Sequence, residues 1–71
     1  MKQQPLYDID DLVCPTVGDM MRGKTGRIME ICIRSGSIVY GLVDLPLSYG
    51  KTLYYNEKEV MAVCTWEILP K

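Results

Sequence analysis

Histidine and phenylalanine are both absent from the 71-residue chain. The first absence removes the commonest general base and metal ligand at neutral pH. Ser35, Ser37 and Ser48 are left with no evident base, so the pairing of nucleophile and base that hydrolytic chemistry needs is missing. Cysteine is scarce: Cys14, Cys32 and Cys64 are odd in number, far apart, and show no C-x-x-C spacing. That argues against a disulfide framework and against a zinc site. Reduced thiols follow, with Cys32 expected to pack as a small hydrophobe. No apolar run approaches the ~18 residues of a membrane span. Met1-Lys2-Gln3-Gln4-Pro5 carries no apolar stretch of the kind a secretory signal needs. A dominant charge is missing too. Eight basic residues face nine acidic ones, a net charge of −1, which is not the footprint of a protein that holds nucleic acid by bulk charge. Together the absences predict a non-catalytic cytoplasmic chain, with no cofactor, no metal and no membrane segment.

Helical periodicity is also missing: no segment places apolar residues at i, i+3, i+4 and i+7 over helix length. The chain has instead short β-branched runs between turn residues. Its hydrophobic fraction of 48% suffices for one folded domain, although a chain of this size buries only about 60% of its unfolded surface. Residues 1–5 are polar, end in proline and are expected to form a disordered tail, leaving 6–71 as the domain. Asp8-Ile9-Asp10 reads as a turn that aims Tyr7 and Ile9 inward. Asp11–Cys14 reads as a first strand stopped by Pro15. Pro15, Gly18, Gly23 and Gly26 mark 15–26 as a loop, in which Met20 and Met21 would plug the end of the core. Gly26–Arg34 is the main strand. Its Ile28, Ile31 and Ile33 break strict alternation, and a bulge at Met29-Glu30 would return all three to one face. Ser35-Gly36-Ser37 then turns the chain into Ile38–Val43. A two-residue turn pairs Ile33 with Ile38, a three-residue turn pairs Ile33 with Val39, and the sequence admits both. Lys51–Tyr55 and Val60–Cys64 supply two further strands. Between them Asn56 and Glu59 have the spacing of a capping box around one helical turn. Trp66–Leu69 continues the last strand or adds a short one.

Asp11-Leu12-Val13, a loop, and then Gly23-Lys24-Thr25-Gly26-Arg27-Ile28-Met29-Glu30-Ile31 resemble the D-x-V … G-x-x-G-x-V-x-x-I opening of SH3-like barrels of the KOW type. Val43-Asp44 is similar to the end of that family's third strand, and Glu59–Val63 to its closing strand. The resemblance covers residues 10–65. It implies an all-β fold: a small five-stranded SH3-like barrel in a single domain, with the glycines at 23 and 26 forming a hinge into a bent second strand. On that reading Gly26 sits at positive φ. The resemblance also implies binding of RNA, DNA, peptides or proteins through loops and an aromatic face.

One motif points elsewhere. Gly18-Asp19-Met20-Met21-Arg22-Gly23-Lys24-Thr25 matches the phosphate-loop pattern G-x-x-x-x-G-K-[ST] letter for letter. A working loop of that kind opens a helix whose N-terminus meets the phosphates. Here Gly26-Arg27-Ile28-Met29 reads as strand, so the nucleotide reading is set aside. The aromatic set carries more. Tyr7, Tyr40, Tyr49, Tyr54, Tyr55 and Trp66 all bear a polar atom, a composition that favours half-wet positions and interfaces. Tyr54 and Tyr55 are neighbours on a strand, so one of them faces out; Tyr49 lies in a loop. These tyrosines and the 15–26 loop are the candidate surface for a protein or peptide partner. A free edge strand adds a second copy of the chain as a candidate partner. Arg22, Lys24 and Arg27 surround the glycine turn. With Arg34, Lys51 and the exposed tyrosines they are the candidate surface of an alternative, an RNA- or DNA-binding module. The expected binding residues are thus Tyr49, Tyr54, Tyr55, Arg22, Lys24 and Arg27, with no catalytic or metal-ligating residue among them.

Overall fold

Two residues with positive φ set the register of the central strand pair. In the computed structural model, which describes residues 4–46 and 48–63, Ser35 (φ 51°) and Gly36 (φ 79°) form a two-residue turn between β2 (Gly26–Arg34) and β3 (Ser37–Val43). Left-handed conformation at both central positions gives the turn a twist that matches its flanking strands. Arg34 therefore pairs with Ser37 and Ile33 with Ile38, which settles the choice the sequence leaves open. Further down the ladder the register slips between Ile28↔Leu42 and Glu30↔Gly41, a bulge at Met29. The extra residue brings Ile28, Ile31 and Ile33 into phase, opposite Leu42, Tyr40 and Ile38. Ile28 and Ile31 join the core, whereas Ile33, opposite the core residue Ile38, stays 63% exposed.

β1 (Leu12–Pro15) pairs with both β2 and β5 (Val60–Ala62), and β4 (Leu53–Asn56) pairs with β3. The result is an antiparallel five-stranded sheet in the order β4-β3-β2-β1-β5, with β4 and β5 as its outer strands and, among the described residues, no ladder between them. The fold is all-β. A 3-10 turn, Glu57–Glu59, joins β4 to β5. The Glu59 carboxylate reaches back to accept the Asn56 N–H at 2.9 Å, as the capping spacing anticipates. That bond also occupies one main-chain donor on the β4 edge. Val13, Ile28, Ile38, Tyr40, Leu42, Leu45 and Val60 form the buried core. Tyr7, Met21, Ile31, Leu53 and Tyr55 pack against it.

Several details depart from the sequence reading. Of the two loop methionines only Met21 reaches the core, and Met20 is exposed. Of the two residues the 8–10 turn was to aim inward, Tyr7 packs and Ile9 does not. The glycine hinge divides into two separate requirements. Gly23 takes positive φ (81°), but Gly26 does not. Gly26 is needed for space instead: a Cβ there would stand 3.0 Å from Leu45 Cγ and Cδ2 and 3.2 Å from the Val43 carbonyl oxygen. The fourth strand runs 53–56, two residues later than its expected start. Residues 1–3 of the expected tail, Leu47, and the closing stretch with Cys64 and Trp66 lie outside the described residues.

Candidate functional site

The outer face of β2-β3-β4 is organised by a missing side chain. Gly41 stands in mid-strand between Glu30 on β2 and Tyr54 on β4. A Cβ at Gly41 would meet Tyr54 Cε1 and Thr52 Cγ2, both at 3.0 Å, and Glu30 Oε1 at 3.3 Å. The tyrosine ring thus lies against bare backbone and fills the place a side chain would take, as aromatics do beside strand glycines. One rung on, Cys32, Val39 and Asn56 continue the same face, followed by Arg34 and Ser37. Arg34 extends back over the Tyr54 ring, with its Cζ 5.3 Å from the centroid, within cation–π range. Hydrogen bonding to Glu30 and then partial burial hold the Tyr54 hydroxyl above its ordinary pKa. Tyr54 is nevertheless 45% exposed. The face therefore presents an aromatic ring backed by Gly41 and overlain by Arg34, with the Glu30 carboxylate beside it.

The other sequence-derived candidates scatter. Tyr55 pairs with Tyr40 and turns inward against the core, so its ring is not part of the outer face. Tyr49, at φ 55° and 86% exposed, stands on the loop after β3. That loop is closed by Ser48, whose hydroxyl donates to the Leu45 carbonyl at 2.7 Å. Tyr49 makes no hydrogen bond or ring pair among the described residues. Arg27 is committed: its Nε donates to Asp44 Oδ2 at 3.1 Å and its Nη1 to Asp10 Oδ1 at 2.9 Å. Asp44 first and Asp10 second raise its already high pKa. Arg22 and Lys24 are exposed on the β1–β2 loop and make no ion pair among the described residues. In that loop the Gly23 and Lys24 N–H groups donate to the Pro15 and Met21 carbonyls, each at 2.9 Å. Those donors face their own chain, and strand rather than helix follows, so the phosphate-loop letters do not make a phosphate cradle. Glu30 is the outer-face residue that sequence reasoning passed over. Its signal is register: once Ile33 faces Ile38, Glu30, Cys32 and Arg34 fall on the side of Tyr54.

A second polar cluster lies on the core side. The Tyr40 hydroxyl donates to Glu57 Oε2 at 2.6 Å and accepts the Tyr7 N–H at 3.2 Å. The same Glu57 oxygen accepts the Leu6 N–H at 2.9 Å. The Tyr7 and Tyr40 rings meet edge to face, with centroids 5.5 Å apart. Burial first, and the Glu57 carboxylate second, push the Tyr40 hydroxyl up to about 12. Cys14 and Cys32 are free thiols. Among the described residues no three His, Cys, Asp or Glu side chains converge as a metal site, and no helix is long and apolar enough to cross a membrane.

Compared with protein-family models, with curated proteins and with solved structures, the chain matches none.

Proposed function

We propose that this chain is a non-catalytic binding module, built as an SH3-like barrel, which recognises a protein or peptide through the outer face of β2-β3-β4. Support for the barrel comes from connectivity. β1 lies between β2 and β5, a bulge bends the long second strand, and a 3-10 turn leads into the last strand. One observation carries the function: Tyr54 is locked against Gly41 and under Arg34, yet nearly half its surface is open. A large ring already held in one rotamer loses little entropy on binding, which is why rigid aromatics anchor interfaces. Arg34 and Glu30 beside it offer a donor and an acceptor to a partner's main chain or side chains. Tyr49 stands exposed on its own loop as a separate candidate contact. The alternative, a nucleic-acid module based on the basic turn, loses Arg27 to its two aspartates and retains Arg22 and Lys24 there.

The test is affinity capture from the source cell with wild-type protein and with Tyr54→Ala. A partner enriched by the first and lost with the second supports the reading, provided the variant keeps its circular dichroism spectrum. Equal capture by both would sink it. Single-stranded oligonucleotides titrated at low salt test the alternative. With two unpaired cations on the turn, the slope of log K against log salt should not exceed about 2 in magnitude.

A further inference from the structure

The N-terminal segment is seated on this domain as a ligand is seated on a receptor. Leu6 and Tyr7 reach the body of the molecule through two main-chain donors and one ring: Leu6 N–H to Glu57, Tyr7 N–H to the Tyr40 hydroxyl, and the Tyr7 ring against the Tyr40 ring. The receptor groups stand independently of the segment. Tyr40 is fully buried on the central strand β3, Glu57 sits in the 3-10 turn, and the two are joined to each other at 2.6 Å. Little apolar burial fastens the segment beyond Tyr7, since Leu6 is 73% exposed.

The segment is tethered by a strained hinge. Asp8–Asp11 closes as a tight turn in which Asp8 N–H donates to Asp11 Oδ2 at 2.8 Å and Asp11 N–H to the Asp8 carbonyl at 3.1 Å. Asp10 within it holds φ 74°, a left-handed conformation that a non-glycine residue adopts at a cost. The turn also gathers three carboxylates, of which only that of Asp10 has a cationic partner among the described residues. Short hinges under strain favour exchange of the element they tether.

We infer that residues 4–7 form an exchangeable strap, and that the Tyr40–Glu57 site takes the same strap from a second copy of this chain to give a reciprocal dimer. Every strap contact is kept in the exchanged form, because donors, acceptors and rings are the same residues. What changes is the hinge, which opens, gives up the Asp10 N–H bond to the Ile28 carbonyl (2.8 Å) and the Asp10–Arg27 pair, and releases Asp10 from positive φ. Within one molecule the short tether gives the strap an effective concentration on the order of millimolar, so exchange belongs to concentrated protein. This inference concerns the core-side site and does not rest on the role proposed for the Tyr54 face.

The test uses opposite substitutions at the hinge. Asp10→Pro fixes φ near −65° and cannot close the turn, whereas Asp10→Gly closes it without strain. Both lose the pair to Arg27, and Asp10→Pro also loses the Asp10 N–H bond to the Ile28 carbonyl, so their difference reports the closed hinge and that bond together. Mass by light scattering across a concentration series should place the Asp10→Pro dimer about tenfold or more below the millimolar range of the wild type, and Asp10→Gly above it. Adding Tyr7→Ala to Asp10→Pro should restore the monomer. A folded Asp10→Pro protein that stays monomeric at millimolar concentration overturns the inference, as does a dimer indifferent to Tyr7→Ala. If Asp10→Pro does not fold, wild-type protein at millimolar concentration decides. In a mixture of labelled and unlabelled copies, a nuclear Overhauser contact between Tyr7 of one and Tyr40 of the other supports exchange. The absence of any dimer there refutes it.

Discussion

Replacing Tyr40 by phenylalanine removes one oxygen atom and should leave the ring packing intact. The hydroxyl it deletes is fully buried, donates to the Glu57 carboxylate at 2.6 Å and accepts the Tyr7 N–H at 3.2 Å. A hydrogen bond to a charged group contributes about 1.5–3 kcal/mol. Glu57 keeps the Leu6 N–H and access to water, so the lower half of that range, about 2 kcal/mol, is the expected loss near neutral pH. For a chain of 71 residues, total stability is about 4–10 kcal/mol, so the variant should melt roughly 10 °C lower.

The same hydroxyl predicts a specific alkaline signature. Its pKa is raised from 10.0 to about 12 in the folded protein, by burial and then by Glu57. The unfolded chain therefore gives up this proton first, and above pH 10 the folded state binds more protons than the unfolded one. Stability from this group is fully present below pH 10 and is lost as pH rises towards 12. Two units correspond to about 3 kcal/mol, slightly more than the neutral-pH advantage. Wild type should match or fall below Tyr40→Phe by pH 12. Lysines and the other tyrosines titrate in both proteins and cancel in the difference. Urea unfolding followed by circular dichroism at pH 7, 9, 10, 11 and 12 gives the two curves. Absorbance at 295 nm should show that the variant has lost its highest-titrating tyrosine. A stability difference that stays constant from pH 7 to 12 would refute the clasp.

The glycine turn separates side chain from backbone: Lys24→Ala should change the melting temperature by less than a few degrees, since the residue is exposed and makes no ion pair among the described residues. Gly26→Val should destabilise by ~1–3 kcal/mol through overpacking against Leu45 and the Val43 carbonyl; a variant as stable as wild type in urea would contradict that crowding. Arg27→Ala releases Asp10 and Asp44 together, yet both pairs are solvent-exposed, so the loss should be small and should shrink as salt is raised from 0.05 to ~1 M. A cost that is large and indifferent to salt would mean that Arg27 acts by packing and not by charge.

Strand positions were legible because the chain is punctuated by glycine and proline, and because apolar alternation survives either side of one bulge. The bulge itself follows from the spacing of Ile28, Ile31 and Ile33. The facing of Tyr54 and Tyr55 was not legible, because it depends on two registers: that of β4 on β3, set across the connection 44–52, and that of β3 on β2, set by whether the turn after Arg34 holds two residues or three. That choice is fixed by Ser35, a non-glycine residue whose left-handed φ no local pattern announces. Gly26 illustrates a different limit. Glycine is written alike whether the backbone needs positive φ or a neighbour needs room, and only the approach of Leu45 tells the two apart. Long-range electrostatics were hidden most completely. Arg22, Lys24 and Arg27 read as one basic cluster, but the carboxylates that neutralise Arg27 come from 17 residues before it and 17 after it. Those two aspartates recast Arg27 as a fastening between the N-terminal segment and the end of β3. They also leave the basic turn with Arg22 and Lys24 as its exposed cations, which weighs against the nucleic-acid reading. A ring seated over Gly41 beneath Arg34 depends on the β2–β3 register that the Ser35-Gly36 turn imposes and on the β3–β4 register that sets Tyr54 opposite Gly41. On the proposed reading, Ser35 shapes the binding face through the β2–β3 register.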